Sequence, residues 1–497
     1  MKWARPESPS FHLTTALSEH GYLVFLGILF FAHLFLAHFL PPAEDELYYW
    51  SWSQNLSPSY FDHPPMTAWL IRISTFLFGN TILAIRLPAV FVHLLLLFKL
   101  GRLSENKTIV TLLLFTPLSL FGAVLMTPDI PLLLFWFFYF QWALEVDSKF
   151  STWHDDPISR VYRQKPITLT AWISGGLLLG LGLISKYTMG LASICLFFLL
   201  LSRYRIKAWV QGFIFHLIIA LIIFLPVLVF NYQHHFSPLW FQWEHTRHSV
   251  PFSFLFSYLG SQVLLVGALP YLLIPWIFIN YRSLVRIPSY RTQLFFFLIP
   301  LIFFSYKSTH HFLEANWGLV CYLSFWPLSS YFVTHSSFRL FVWSTVVLGF
   351  IVPLALSLAI LIHLFHPLPW IGIGQDRVAK MDGQNQLVKA VAQGHQDLKQ
   401  LPIFLTSYQW TSYFRFHGFS LANQLPDSGR ASHFTLNPVS PCTNERVLLF
   451  NPIGENIPEA LKCFNQKRSI VELPLMIRDQ VNSTWELVEL SKTRTTK

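Results

Sequence analysis

Long apolar runs, broken by short polar and often proline-bearing connections, occupy the first 365 residues. In a helix, about 20 such residues cross the ~30 Å of bilayer hydrocarbon. The runs predict eleven spans, near 21–40, 81–98, 108–126, 130–145, 167–184, 188–202, 208–230, 254–280, 293–305, 317–334 and 340–364. An odd count puts the termini on opposite faces. "FLPPAED" is a poor small-residue cleavage site, so the first run is read as a retained span rather than a signal peptide. Beyond residue 365 no such run occurs. There "PIFLTS", "RVLLFNP", "SIVELPLMIR" and "STWELVEL" predict strands, and "QNQLVKAVAQ" and "IPEALKCF" predict helices. The expected fold is a polytopic α-helical membrane protein over 1–364, with a soluble α/β domain over 365–497.

Composition agrees with that division. Of 497 residues, 53% are hydrophobic and 12% charged, against about 25% charged in soluble domains. The net charge of +10 comes with no arginine-rich tract, so nucleic acid is not an expected partner. The basic residues sort by side instead. Sixteen Lys and Arg fall in one set of connections. Five fall in the opposite set: Arg72, Arg86, Lys186, Arg247 and Lys307. The other fourteen of the 35 lie in the tail. The positive-inside rule then puts the N-terminus in the cytoplasm and the C-terminal domain outside, which in a Gram-negative cell is the periplasm. Cys195 and Cys321 fall in apolar runs and are expected to pack. Cys442 and Cys463, the only cysteines of the tail, are expected to form a disulfide in that compartment.

The outward face gathers groups that hydrocarbon excludes. Glu44, Asp45, Glu46, Asp62, Asp129, Glu244 and Glu314 all map to it. Ionisable groups at membrane depth are costly and are functional candidates by default. Asp45 and Glu46 follow the first span in "PPAEDELYYWSWSQ". They are candidates for a general base on a hydroxyl, and equally for capping the aromatic interfacial helix that follows. "SYFDHPPMTAW" sets Asp62 and His63 before two prolines that fix an extended backbone. Carboxylate plus imidazole suits a divalent metal or an anionic phosphate. Asp129 in "LMTPDIPLL" is either a turn former between prolines or a functional acid. Lys186 ends an apolar span in "GLGLISKYTMG", where glycines permit close helix packing. It suits a phosphate, or snorkels to the interface. Loops 231–249 and 305–318 mix Trp, Tyr and Phe with His and Glu, a composition shared by sugar sites and membrane belts.

Several of these segments occur in a familiar order. "DELYYWSWSQNLSPSYFDHPPMTAWLIRI", "RLP" at 86–88, "TPD" at 127–129, "LISKYT" at 183–188, "PVLVFNYQHHFSPLWFQ" and "EANW" at 314–317 resemble the bacterial branch of the GT-C glycosyltransferases. This branch is related to protein O-mannosyltransferases and to the aminoarabinose transferases of lipid A. The likeness covers residues 1 to about 365 and continues loosely through "SYQWTSYFRFHG" and "GRASHF". It implies a sugar donor on a polyprenyl phosphate, usually undecaprenyl phosphate. It also implies inverting transfer of a hexosyl or pentosyl group, at the periplasmic face, to an envelope acceptor such as lipid A or lipopolysaccharide. Matched residue by residue, Asp45 takes the place of the essential first-loop acid. Asp62 and His63 occupy a pair that is Glu then Lys in the aminoarabinose transferases, where the carboxylate helps hold a divalent metal. The resemblance therefore implies Asp62 and Asp129 as metal ligands, with His63 as a further candidate. It hands contact with the lipid phosphate to His63, Arg86, Lys186 and Arg247. Two other classes stay open on the sequence: a flippase for a lipid-linked sugar, and an oligosaccharide polymerase or ligase. The chain has no internal repeat of the kind transporters often show.

Overall fold

A computed structural model describes residues 18–151, 167–245, 251–252, 254–335 and 339–493. Backbone polar groups cannot go unpaired in hydrocarbon, so apolar runs of this length fold as helices. Among the described residues, five helices are long and apolar enough to cross a membrane: Glu19–Phe39, Ile82–Leu103, Asp129–Lys149, Val210–Gln233 and Phe341–Phe365. A sixth results if Lys107–Leu113 and Pro117–Val124, bent by 70°, form one span. That is fewer than the eleven expected, and the causes are local. Stretch 254–280 breaks at Gly267, whose φ of +98° suits glycine, and a Cβ there would lie 2.4 Å from the Gly349 carbonyl oxygen. The pieces are Phe254–Val266, Leu269–Leu272 and Ile274–Leu284. Stretch 317–334 opens with the 3-10 segment Ala315–Cys321 before the helix Tyr322–His335. Leu169–Leu183 and Gly190–Arg203 have only 15 and 14 residues. The helix Met66–Phe78, between the first two expected spans, was not expected.

Side chains sort as a multi-pass membrane protein requires. Phe31, Phe76, Ile222, Ile279, Ile302 and Leu348 point outward and are exposed. Inside, Leu169–Leu183 lies close against Val210–Gln233 through two glycines one helical turn apart. A Cβ on Gly176 would fall 2.7 Å from the His216 carbonyl oxygen, and one on Gly180 would fall 2.8 Å from Ile223 Cβ. At the opposite end of the bundle from the acidic helix Glu44–Gln54, buried Asp147 accepts from Tyr204, Arg291 and Thr292 and ties three helices together.

After Phe365 the chain builds one sheet of five strands, β1 (Ile403–Leu405), β2 (Ala422–Gln424), β3 (Arg446–Pro452), β4 (Gln466–Ile477) and β5 (Gln480–Ser491). Their order is β2-β1-β3-β5-β4. β1 is parallel to β2 and β3, and the β3–β5 and β5–β4 pairs are antiparallel. The β4–β5 hairpin turns on Arg478 and Asp479, both left-handed at φ 49° and 59°, a turn that matches strand twist. Helices Arg377–Gly394 and Tyr408–Phe416 cover the sheet. "IPEALKCF", expected as a helix, forms only a 3-10 turn at Glu459–Leu461. Cys442 and Cys463 are bonded, with Cα atoms 5.9 Å apart.

The sheet's core is continuous with part of the membrane domain. Leu405, Tyr413, Phe414, Leu448 and Phe450 share one buried cluster with Leu47, Tyr48, Trp52, Ile71 and Ile85. Helix Tyr408–Phe416 packs directly on the acidic helix Glu44–Gln54. The C-terminal domain is thus seated on the segment that carries Asp45.

Candidate active site

The acidic helix sorts its carboxylates by direction. Successive helical residues point about 100° apart, so Asp45 and Glu46 diverge. Glu46 turns inward and reaches back to the Ala43 N–H at the helix start, 3.1 Å away. It receives Arg86 through Nε at 2.9 Å and Nη2 at 2.6 Å, and the Met126 N–H at 3.1 Å. The remaining Arg86 N–H groups go to the carbonyls of Ala37, Leu40 and Pro41. Both side chains are within 1% of full burial. Two expectations are corrected here: neither Glu46 as a catalytic acid nor Arg86 as a phosphate ligand has a group left for a substrate. The pair instead caps the outer end of the first helix and fixes the loop after it.

Asp45 turns the other way, into a cavity of about 380 Å3. Asp62, His63, Asp129 and Lys186 line the same cavity, together with Glu314, Asn316 and Trp317. They arrive from five separate segments, the last being the 3-10 segment Ala315–Cys321 with Glu314 before it. Asp45 comes from the acidic helix, and Asp62 and His63 from the turn before Pro65, which stands as N-cap of Met66–Phe78. Asp129 opens the long helix Asp129–Ser151. Lys186 follows the glycine-packed helix, so close approach to Val210–Gln233 sets where its side chain stands.

Three of the cavity's residues come from the C-terminal domain: Arg377, Tyr408 and Arg430. Tyr408 donates its hydroxyl to Asp45 Oδ1 at 2.9 Å. Arg430 Nη1 meets Asp62 Oδ1 at 2.6 Å, and its guanidinium lies over the rings of Tyr408 at 4.2 Å and Phe241 at 5.5 Å. Tyr48, itself buried, donates to Asp62 Oδ2 at 2.6 Å. On the far wall Lys186 Nζ meets Asp129 Oδ1 at 2.7 Å, and Asn316 Nδ2 donates to Asp129 Oδ2 at 2.6 Å. His63 sits edge-on to Tyr49, with ring centres 6.2 Å apart.

Electrostatics follow from enclosure. Asp45 presents surface to the cavity but is surrounded by protein. Burial raises its carboxyl pKa above the ordinary value, while the Tyr408 hydroxyl and Arg430 draw it part of the way back. Burial works against the Arg430 charge, but Asp62 and Tyr408 outweigh it and raise its pKa, so the guanidinium stays charged.

The residues present do not fit a divalent cation. Both oxygens of Asp62 and both of Asp129 accept from protonated donors. Among the described residues, no three of His, Cys, Asp and Glu converge. A divalent site needs several oxygen or imidazole donors aimed at one point. Arg247 lies outside the described residues. Tyr408, Arg430, Arg377 and Asn316 were not picked out from the sequence. For Asn316 a signal existed, since it lies in the polar 305–318 loop. For Tyr408 and Arg430 the signal was the loose likeness of "SYQWTSYFRFHG" and "GRASHF", and Arg377 lies in neither segment.

Comparison with known proteins is consistent with this geometry. Residues 62–153 match the family model described as dolichyl-phosphate-mannose-protein mannosyltransferase. Lipid A galacturonosyltransferase RgtD of Rhizobium johnstonii is 51% identical over 51 residues, which is 10% of this chain and 11% of that protein. The matched stretch is thus a small part of either. The whole fold resembles ArnT from Cupriavidus metallidurans bound to undecaprenyl phosphate, with a TM-score of 0.61 at 13% identity over 96% of this chain and 99% of that one. Its apo form gives 0.59 at 14% identity, over 95% and 98%. The chain thus carries a local family signature across the Asp62–Asp129 segment and shares the fold of ArnT over nearly its full length.

Proposed function

We propose that this protein transfers one sugar, hexosyl or pentosyl, from a polyprenyl-phosphate donor to lipid A or a related envelope glycolipid. The reaction takes place at the periplasmic face of a bacterial inner membrane. The observation that carries the reading is the cavity itself. It sets an uncommitted carboxylate oxygen, on Asp45, opposite two ion pairs at the level where the chain leaves the membrane. The relative named as a lipid A galacturonosyltransferase and the structural neighbour bound to undecaprenyl phosphate support the same acceptor and donor classes.

In this reading an acceptor hydroxyl attacks the anomeric carbon. The bond from that carbon to the phosphate oxygen breaks on the opposite face, and the configuration inverts. Polyprenyl phosphate leaves with the bonding electrons, and Asp45 Oδ2 takes the hydroxyl proton. Cations of the cavity hold the charge of the leaving phosphate, in a site shielded from bulk water where such contacts are strong. Tyr408 keeps Asp45 oriented through the other oxygen. Asp129 and Lys186, tied to Asn316, hold the far wall and its charge balance.

The test is direct. Purified protein is given synthetic undecaprenyl-phosphate hexuronate or pentose and lipid A, and the products are read by mass spectrometry. Expected is lipid A heavier by one sugar, together with free undecaprenyl phosphate. Donor that crosses liposomes with its sugar still attached would instead mark a transporter. Transfer of a multi-sugar unit only would mark a ligase.

A further inference from the structure

We propose that Arg430, a residue of the C-terminal domain, binds the phosphate of the lipid-linked donor, so that this domain completes the donor site rather than only resting above it. The proposal rests on the donor reading above.

The cavity holds three described cations. Lys186 is committed to Asp129 and nearly buried, with 9% of its side chain exposed. Arg377 lines the cavity with no ion-pair partner among the described residues, but nothing there fixes its position. Arg430 is both fixed and available. The rings of Tyr408 and Phe241 hold its guanidinium plane. Its hydrogen bonds to Asp62 and to the Ala431 carbonyl both run through Nη1. Its side chain remains 39% exposed, facing the cavity. A guanidinium carries five N–H donors in a planar fork that matches phosphate oxygens.

Asp62 makes the exchange possible. It keeps the Tyr48 hydroxyl on Oδ2 whether or not Arg430 is shared. A phosphate that enters between Arg430 and Asp62 therefore gains a charged fork without leaving a buried carboxylate bare. Among the described residues no metal-ligand set surrounds Asp62, which points the same way. Where the resemblance implies a divalent cation next to this carboxylate, the chain supplies a guanidinium from 368 residues away.

The experiment compares two ligands that differ only at the head group. Full-length protein in detergent is titrated with undecaprenyl phosphate and with undecaprenol, and binding is read from tryptophan fluorescence, with and without EDTA. Wild type is expected to prefer the phosphate, and Arg430→Gln to lose roughly tenfold of that preference, on the scale of one charge-assisted contact. Affinity for the alcohol is expected to be unchanged, which a general loss of structure would not leave so. Chelation is expected to change nothing. A wild type that does not discriminate would overturn the donor reading and this proposal with it. A wild type that discriminates beside an equally discriminating Arg430→Gln would leave the donor reading standing and overturn the role of Arg430. Loss of the preference on chelation would reassign the phosphate to a metal. Should the glutamine variant not fold, Arg430→Lys keeps the charge but not the fork, and an undiminished preference in it would likewise overturn the assignment.

Discussion

Asp45 carries the Tyr408 hydroxyl on one oxygen and turns the other toward the cavity, and burial lifts its pKa. In its proposed role as base it must be ionised, so turnover is expected to fall as pH drops through that raised value. The acid limb of kcat/KM is therefore expected above the usual carboxylate range. Tyr408→Phe removes a hydrogen bond that stabilises the carboxylate, so the limb is expected to move to still higher pH. A limb that stays put or moves down would refute the pairing. Asp45→Asn is expected to cut kcat by about 100-fold or more with donor binding retained. Glu46 and Arg86 give the opposite pattern. Removal of one partner of a buried pair leaves an unpaired charge and costs about 3–5 kcal/mol. Glu46→Gln is expected to lower the thermal midpoint strongly, and Glu46→Gln with Arg86→Met to recover part of the loss. At this scale Asp45, Asp62, His63, Asp129 and Lys186 were legible, because each is a charged or proline-flanked break at the end of an apolar run. Position and composition did not separate Asp45 from its neighbour, which only the family resemblance singled out, since one step along a helix decides which carboxylate faces the cavity and which faces the core.

The glycine-packed pair of helices sets the far wall of the site. A side chain at position 180 has nowhere to go, with Ile223 Cβ already 2.8 Å from an added Cβ. Gly180→Val is expected to cost about 1–3 kcal/mol as overpacking. It is also expected to pull Lys186 away from Asp129, seen as a lower thermal midpoint and weaker turnover together. A normal midpoint with normal turnover would show that the helices have slack. Elements of strong pattern were read well from sequence. The spans at 21–40 and 208–230 and strands β3, β4 and β5 stand close to their expected places. Those misjudged share a physical cause. Gly267 and the 3-10 segment Ala315–Cys321 break apolar runs that composition reads as continuous. Helix Tyr408–Phe416 mixes polar with aromatic residues because it packs between two bodies rather than on a single core.

On the scale of the molecule, the site is a joint. Tyr408 and Arg430 meet residues 363 and 368 positions earlier, and no local pattern could have announced such pairs. A chain ended after Phe365 is expected to insert in the membrane yet show no transfer, and activity in it would confine the chemistry to the membrane domain. The Cys442–Cys463 bond closes a loop of separation 21 and is expected to stabilise the sheet by roughly 3 kcal/mol in the chain-entropy model. Cys442→Ser with Cys463→Ser should lower the melting point of the domain while leaving turnover at low temperature near normal. The distance along the chain between Asp62 and Arg430 also sets a clock. At a translation rate of about 5–20 residues per second, roughly 20–70 s pass between synthesis of the first and of the second. Throughout that interval the nascent membrane bundle holds an acid whose counter-charge has not yet been made. A chain stalled or cut anywhere before residue 430 lacks that guanidinium, so on the proposed role of Arg430 a partly synthesised copy is expected to hold a lipid-linked phosphate more weakly than the finished protein.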